Sequence, residues 1–231
     1  MNYSDLSAAI QSYTENTFPT TYLADGSAVT SADQIARFVR QAEQRIYNTV
    51  QFPSLRKNAT GTTSSGNKYL SCPTDFLAAY SLAVVDGTGA YEYLLNKDVN
   101  FIRQSYPVPT DTGLPRYYAL FGPTVSGATI TNELSFILGP TPDAGYTVEL
   151  HYYYYPESIV TASTTWLGDN FDSVLLYGSL VEAYTFMKGD ADMLTLYDTK
   201  YKEALGLAKR LGDGMERQDA YRSGQYRQPV T

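Results

Sequence analysis

The sequence predicts an α+β protein: a helical bundle built from N- and C-terminal helices, an inserted antiparallel β domain, and an extended C-terminal arm. Two changes of pattern predict it. Apolar residues recur at helical spacing over residues 31–51 and again after Pro156. Between 68 and 156, short β-branched and aromatic runs alternate with Gly, Pro, Asn and Asp. The third observation is compositional: 22 tyrosines against one tryptophan in 231 residues is far from ordinary usage. The segments that follow are an N-terminal helical part over 1–52, a β-rich domain over 53–156, a helix pair over 157–212 that completes the bundle, and an arm over 213–231.

Taken in order, residues 4–14 form a short helix and "TTYLADGSA" a connecting loop. Residues 31–51 open with Ser31 and Gln34 in capping-box spacing, so each side chain can satisfy the other's free backbone N–H. Ile35, Phe38, Val39, Ala42, Ile46 and Val50 then mark one face, and the helix stops at "FPS", because proline disfavours helical geometry in the residue before it. "NATGTTSSGN" (58–67) is small and polar and reads as a mobile loop or hairpin tip. "FLAAYSLAVV" and "AYEYLL" flank the hairpin signal "DGTG". "PRYYALF", "ATIT", "ELSFIL" and "YTVELHYYYY" follow as strands, separated by "GPTVSG", a tight "TN" turn and "GPTPDAG". Asn96 or Asp98 caps a short helix that ends before Pro107.

After Pro156, "FDSVLLYGSLVEAYTFMKG" places Phe171, Val174, Leu175, Gly178, Val181 and Phe186 along one side, with Gly189 positioned to end the helix. Gly178 costs about 1 kcal/mol in an exposed helix, which points to close helix approach there. Asp190 caps a second helix with Leu194, Tyr197, Tyr201, Ala204, Leu205, Ala208 and Leu211 on one face, closed by Gly212. Beyond it, "DGMERQDAYRSGQYRQPVT" has one methionine and one valine as its only aliphatics, too little to bury by itself, so it reads as either disordered or an arm that docks on something else. Its paired Tyr221-Arg222 and Tyr226-Arg227 are residue types that concentrate binding energy at interfaces.

Composition removes several function classes. The net charge of −7 is spread along the chain, and no basic stripe marks a phosphate-binding surface. The N-terminus lacks the basic and apolar regions of a secretory signal, and no run approaches the roughly 20 apolar residues of a membrane span. A protein made in a cytoplasm, without membrane contact, is the reading. The single cysteine, Cys72, excludes a disulfide framework and multi-cysteine metal sites, and reads as a buried, inert hydrophobe. No phosphate loop, dinucleotide fingerprint, nucleophile elbow or H-E-x-x-H occurs. Asp190 and Asp192 in "GDADM", and Asp213 and Glu216 in "GDGME", lack the remaining ligands of a calcium loop. No catalytic residue, metal or cofactor is assigned, and the chain reads as no enzyme.

The lone histidine lies in "HYYYYPES" (151–158). Val148 and Leu150 share strand parity with Tyr152 and Tyr154, which makes those two tyrosines core candidates. His151, Tyr153 and Tyr155 take the other parity, a wetter surface for another element or subunit to cover.

The order of helices, tyrosine-rich β region, helix pair and unburied tail resembles the head-to-tail adaptor (connector) proteins of tailed bacteriophages. The likeness is carried by "YLSCPTDFL", "DVNFIRQSYP", "GLPRYYALFG", "YTVELHYYYYPESI", "TTWLGDNFDSVLLYGSLVEAYTFMKGD" and "YDTKYKEALGLA", which together touch residues 69–208. The resemblance implies a structural protein of the virion neck: about twelve copies form a homo-oligomeric ring beneath the portal protein, extend its DNA channel and give the tail or neck proteins a platform. It further implies that the helical part packs on the portal side and that the C-terminal segment reaches along the portal, making Tyr221, Arg222, Tyr226 and Arg227 portal contacts. Excess tyrosine suits lateral subunit contacts, because the ring is rigid and its hydroxyl tolerates water before assembly. His151, Tyr153 and Tyr155 are then a subunit-interface face, and an acidic lumen lets DNA pass without specific binding. The alternative is a tyrosine-rich carbohydrate- or receptor-binding module, since exposed rings also stack on sugars.

Overall fold

The computed structural model describes residues 1–50, 52–108, 110–126, 129–132 and 134–222. It is a mixed α+β chain that divides into two compact units, one made of Met1–Leu55 and Tyr155–Thr231, the other of Arg56–Tyr154.

The first unit begins with α1 (Tyr3–Thr14), started by Asn2, whose side chain accepts the Asp5 N–H at 2.8 Å. A small hairpin, β1 (Thr21–Tyr22) and β2 (Ala28–Val29), leads into α2 (Ser31–Thr49). The capping box of α2 is one residue earlier than the sequence spacing predicts: Thr30 and Asp33 form it. Both pairs have the right chemistry, and tertiary contacts decide between them. Ser31 donates its hydroxyl to the Thr17 carbonyl at 2.6 Å, and Gln34, 4% exposed, donates to the Pro19 carbonyl at 3.0 Å. Ile35, Phe38, Val39, Ala42 and Ile46 of α2 are all buried, as the helical spacing predicts.

The second unit contains β3 (Arg56–Thr62), β4 (Tyr69–Ser71), β5 (Ala78–Val85), β6 (Tyr91–Tyr93), β7 (Leu95–Asn96), α3 (Val99–Ser105), β8 (Tyr117–Phe121), β9 (Thr124–Ser126), β10 (Thr129–Asn132), β11 (Ser135–Gly139) and β12 (Thr147–Tyr153). One four-stranded sheet runs β3-β12-β5-β6 and another β4-β11-β8-β7, while among the described residues β9 and β10 pair only with each other. Leu82, Val84, Val148, Leu150 and Tyr152 from the first sheet share a core with Tyr118, Phe136 and Leu138 from the second. Ala119 and Ile137 take the other parity and are covered by Ile102 of α3, so β11 is buried on both faces. Asp98 caps α3 through the Asn100 N–H at 2.7 Å.

Two segments here differ from the sequence expectation. "GPTVSG" is a separator by composition, yet it contains β9. Residues 58–62, read as part of a loop, lie in β3, which pairs with β12 over seven registers from Thr147↔Thr62 to Tyr153↔Arg56. Only Ala59 of β3 touches the core. A strand held mainly by main-chain bonds to a partner some ninety residues away leaves no hydrophobic pattern to read.

The chain returns to the first unit through α4 (Ile159–Ala162), α5 (Trp166–Asn170), α6 (Asp172–Met187) and α7 (Ala191–Arg222). Helix α6 is buried on several sides, packing against α1, α2 and α7. A Cβ on Gly178 would lie 3.3 Å from Ala42 Cβ and 3.2 Å from Tyr201 Cε2, the close approach the sequence predicts. Lys188, at φ 54°, provides the left-handed end of α6, one residue before the expected Gly189. Tyr197, Tyr201 and Ala208 of α7 are buried, but Leu211, expected on the same face, is 45% exposed.

Helix α7 does not close at Gly212; it continues to Arg222. Gly212 and Gly214 each cost about 1 kcal/mol in a helix, and the helix formers Met215, Glu216, Arg217 and Gln218 that follow favour its continuation. The first ten residues of the expected extended arm are therefore helical.

Candidate assembly surfaces

The outward face of the β3-β12-β5-β6 sheet follows from the register. On β12, Val148, Leu150 and Tyr152 turn inward, so Glu149, His151 and Tyr153 turn outward. Opposite them, Glu149 pairs with Ala83 and Ala83 with Tyr93, while Thr147 pairs with Val85 and Val85 with Tyr91. Tyr91 and Tyr93 therefore share the face of His151. A register shift between His151 and Tyr152 brings Tyr80 to it as well. The Tyr80 ring lies 5.2 Å from His151 and 6.0 Å from Tyr153, both edge-on.

Arg56 completes the cluster, its guanidinium 4.6 Å from the Tyr80 ring centroid and 5.8 Å from that of Tyr153. Tyr91 and Tyr93 stack at 6.4 Å, and the charge of Glu149, with a hydrogen bond to it, raises the Tyr91 phenol above its ordinary value. Tyr80, Tyr91 and Tyr93 remain more than half exposed. Stacking fixes rings in place before any partner arrives, which lowers the ordering cost of binding.

The lone histidine thus belongs to an aromatic cluster, beside Tyr80. Tyr155 is placed differently: β12 ends at Tyr153, and Tyr155 is in the first unit, where its hydroxyl donates to Asn48 of α2. Parity in the sequence identifies His151 and Tyr153 correctly as outward, but the strand does not last long enough to include Tyr155. Tyr80, Tyr91, Tyr93 and Arg56 were missed. The alternation in "AYEYLL" held a usable signal for two of them, because Leu94, at 6% exposure, takes the parity opposite to Tyr91 and Tyr93. Nothing local marks Arg56.

The core side of this sheet ends in a polar network. Tyr152, 1% exposed, donates its hydroxyl to Asp75 at 2.8 Å, and Lys57 pairs with the same carboxylate at 2.8 Å. The Lys57 contact, with the Tyr152 bond adding to it, holds the Asp75 carboxyl below its usual value. A buried tyrosine needs such an acceptor.

Of the four residues expected to contact the portal, Tyr221 and Arg222 are the last two residues of α7, whereas Tyr226 and Arg227 lie outside the described residues. A groove of about 680 Å³ runs beside α2 and β2, with Arg37, Arg40, Gln41 and Gln44 on one wall and Val29 and Val160 on the other. Its Asp33 is committed to Thr30, and its Ser27 to Asp25. Burial pushes the Cys72 thiol up to about 12, so it carries negligible thiolate at neutral pH. Among the described residues no group of three or more His, Cys, Asp or Glu side chains is placed to hold a metal ion, and no helix is long and apolar enough to cross a membrane.

Aromatic rings fixed on an open sheet face offer apolar area with hydrogen-bonding ends. A comparison with curated proteins finds no match. The SU10 adaptor protein family matches residues 1–229, almost the whole chain, and the protein therefore belongs to that family of phage head-to-tail adaptors, structural and non-enzymatic components of the virion neck.

Proposed function

We propose that this adaptor forms a homo-oligomeric ring of about twelve subunits beneath the portal protein, extends the portal's DNA channel and presents a platform to tail or neck proteins. The observation that carries this reading is the aromatic face of the β3-β12-β5-β6 sheet. Tyr80, Tyr91 and Tyr93 expose large ring surfaces there, Tyr80 held among Arg56, His151 and Tyr153, and Tyr91 stacked on Tyr93. Lateral contacts in a ring are heterologous, so each subunit needs two different surfaces that meet. Tyrosine is suited to such a surface because it buries apolar area and keeps a hydrogen-bonding end. His151 and Tyr153 serve this interface from its centre. Tyr155, in the first unit with its hydroxyl anchored on Asn48, is assigned a subunit contact of its own.

The portal contact is assigned to the end of α7 and the residues after it, with Tyr221, Arg222, Tyr226 and Arg227 as its binding side chains. Support comes from the length of α7, 32 residues, and from the tyrosine-arginine pairs at its end and just beyond. DNA passes without specific binding: the net charge of −7 and the absence of a basic stripe in the sequence disfavour phosphate capture.

The test is a binding measurement with the portal protein. Replacing Tyr221, Arg222, Tyr226 and Arg227 together by alanine is expected to weaken portal docking at least tenfold with an unchanged circular dichroism spectrum. Undiminished docking removes these four residues from the portal contact. Replacing Tyr80, Tyr91 and Tyr93 by serine is expected to leave portal docking of single subunits intact and to weaken ring closure.

A further inference from the structure

We propose that the open edge of β3 receives the β9–β10 hairpin of a second copy of this chain, joining neighbouring subunits by main-chain hydrogen bonds. The inference rests on the ring reading above and specifies how two neighbours are joined.

β3 is the terminal strand of its sheet and lies antiparallel to β12 over all seven of its residues, with no irregularity. The Thr63 N–H donates to the Tyr146 carbonyl at 2.9 Å, and this bond sets the phase of the ladder. In an antiparallel pair, hydrogen-bonded and non-hydrogen-bonded positions alternate. Gly61, Ala59 and Lys57 therefore bond to β12, while Thr62, Thr60 and Asn58 direct their N–H and C=O groups outward. Among the described residues no backbone group pairs with that outer edge.

Such an edge is a template for another strand, and natural proteins guard it with charge, proline or a bulge. This edge has little guard. Its two charges sit at one end and are engaged elsewhere: Lys57 with Asp75 at 2.8 Å, and Arg56 over the Tyr80 ring at 4.6 Å. Asn58–Thr62 carry no charge and no proline, and four of these five residues are exposed.

The same chain carries a second unguarded β element. β9 and β10 are interposed between β8 and β11 but belong to neither four-stranded sheet, and their own register is interrupted between Ile130 and Asn132. The hairpin sequence from Thr124 to Asn132, "TVSGATITN", has no charge and no proline, and β-branched residues dominate it. Among the described residues each of its strands pairs with the other alone.

Strand addition draws its affinity from main-chain bonds, so it needs matching open edges more than matching side chains. β3 and the hairpin are different parts of one chain. Their meeting is therefore a heterologous contact, which repeats from subunit to subunit and generates a ring where the rotation between neighbours closes. Pairing of β3 with another β3 would instead be isologous and would stop at two subunits.

The experiment is residue-resolved amide exchange on the full-length protein, free and in its assembled form, with the portal protein added if assembly needs a template. The Asn58, Thr60 and Thr62 amides are expected to exchange freely in the single subunit and at least about tenfold more slowly in the assembly, while Lys57, Ala59 and Gly61 are slow in both. The substitution Thr60→Pro removes an outward donor without touching the ladder to β12, a position where an edge strand tolerates proline. It is expected to keep the fold of the free subunit and to lose assembly. Ile130→Pro, on the hairpin, is expected to abolish the protection at Asn58, Thr60 and Thr62.

A ring in which these three amides exchange as fast as in the free chain overturns the pairing and leaves the ring reading standing. Protection that survives Ile130→Pro overturns the hairpin as the occupant, and assembly that halts at two subunits assigns the edge to β3 itself. Absence of any assembly removes the ring reading and the pairing together.

Discussion

Gly178 offers a quantitative test of how the helical unit is built. In an exposed helix, Gly178→Ala would stabilise by about 1 kcal/mol, because alanine loses less backbone entropy. Here the added Cβ would meet Ala42 Cβ at 3.3 Å and two Tyr201 ring carbons at 3.2 and 3.4 Å. Carbon pairs prefer about 3.5–4.0 Å, so all three contacts are compressed. Tyr201 can shift by rotating its ring, but the Ala42 Cβ is fixed to the backbone of α2, so relief there requires α2 and α6 to separate. Overpacking of this kind costs about 1–3 kcal/mol, which cancels or outweighs the propensity gain and leaves a net loss of about 0–2 kcal/mol. Gly178→Val adds two more methyl groups at a smaller propensity gain and is expected to cost at least about 3 kcal/mol.

Urea denaturation followed by helical circular dichroism measures both, and Ala42→Gly is expected to recover part of the loss in each double variant. Stabilisation of about 1 kcal/mol by Gly178→Ala, with no coupling to position 42, would refute the close approach of α2 and α6 as the reason for glycine.

Three further predictions concern buried polar groups. Tyr152→Phe deletes the 2.8 Å bond to Asp75 and is expected to cost about 1–2 kcal/mol at pH 7. Because the Asp75 pKa is depressed in the fold, its stabilisation is present above the unfolded value of about 3.9 and is lost as pH falls through the folded one; a deficit from Tyr152→Phe that does not shrink in acid argues against the network. Glu43, 3% exposed, accepts the Ile159 N–H at 2.8 Å at the start of α4, and burial raises its pKa. Its folded form therefore binds a proton more readily than its unfolded form, so its destabilising ionisation is absent below about pH 4 and grows as pH rises towards the folded value. Glu43→Gln keeps the acceptor and is expected to gain stability relative to the parent across that rise, whereas a pH-independent difference contradicts the burial argument. Cys72, with its thiol pushed up to about 12, is expected to react with aromatic disulfides at pH 8 many-fold more slowly than a free thiol and to reach normal rates only in denaturant; fast labelling of the native chain refutes it.

What could be read from the sequence depended on whether a residue's environment is set locally. β12 was legible because Val148, Leu150 and Tyr152 alternate with Glu149, His151 and Tyr153, and the apolar set fixes which side is core. α2 was legible for the same reason at helical period, with its cap displaced by one residue because Thr30 and Ser31 are chemically interchangeable until Thr17 claims the Ser31 hydroxyl. β3 was illegible because its partner is distant and its side chains are mostly exposed, so its pairing writes no pattern into Arg56–Thr62. The end of α7 was misread because Gly212 and Gly214 signal a stop, whereas "MERQDAYR" beyond them favours helix. The aromatic face of the sheet was half legible. His151 and Tyr153 follow from strand parity, whereas Arg56, Tyr80, Tyr91 and Tyr93 join them only through the cross-strand register of three other strands.

Assembly on a portal ring is the proposed work of this family member. Light-scattering mass determination on the full-length protein, alone and after mixing with the portal protein of the same phage, tests it most directly. A complex heavier than the portal ring by about twelve adaptor masses is the predicted result. A portal ring of unchanged mass beside free adaptor would contradict the account.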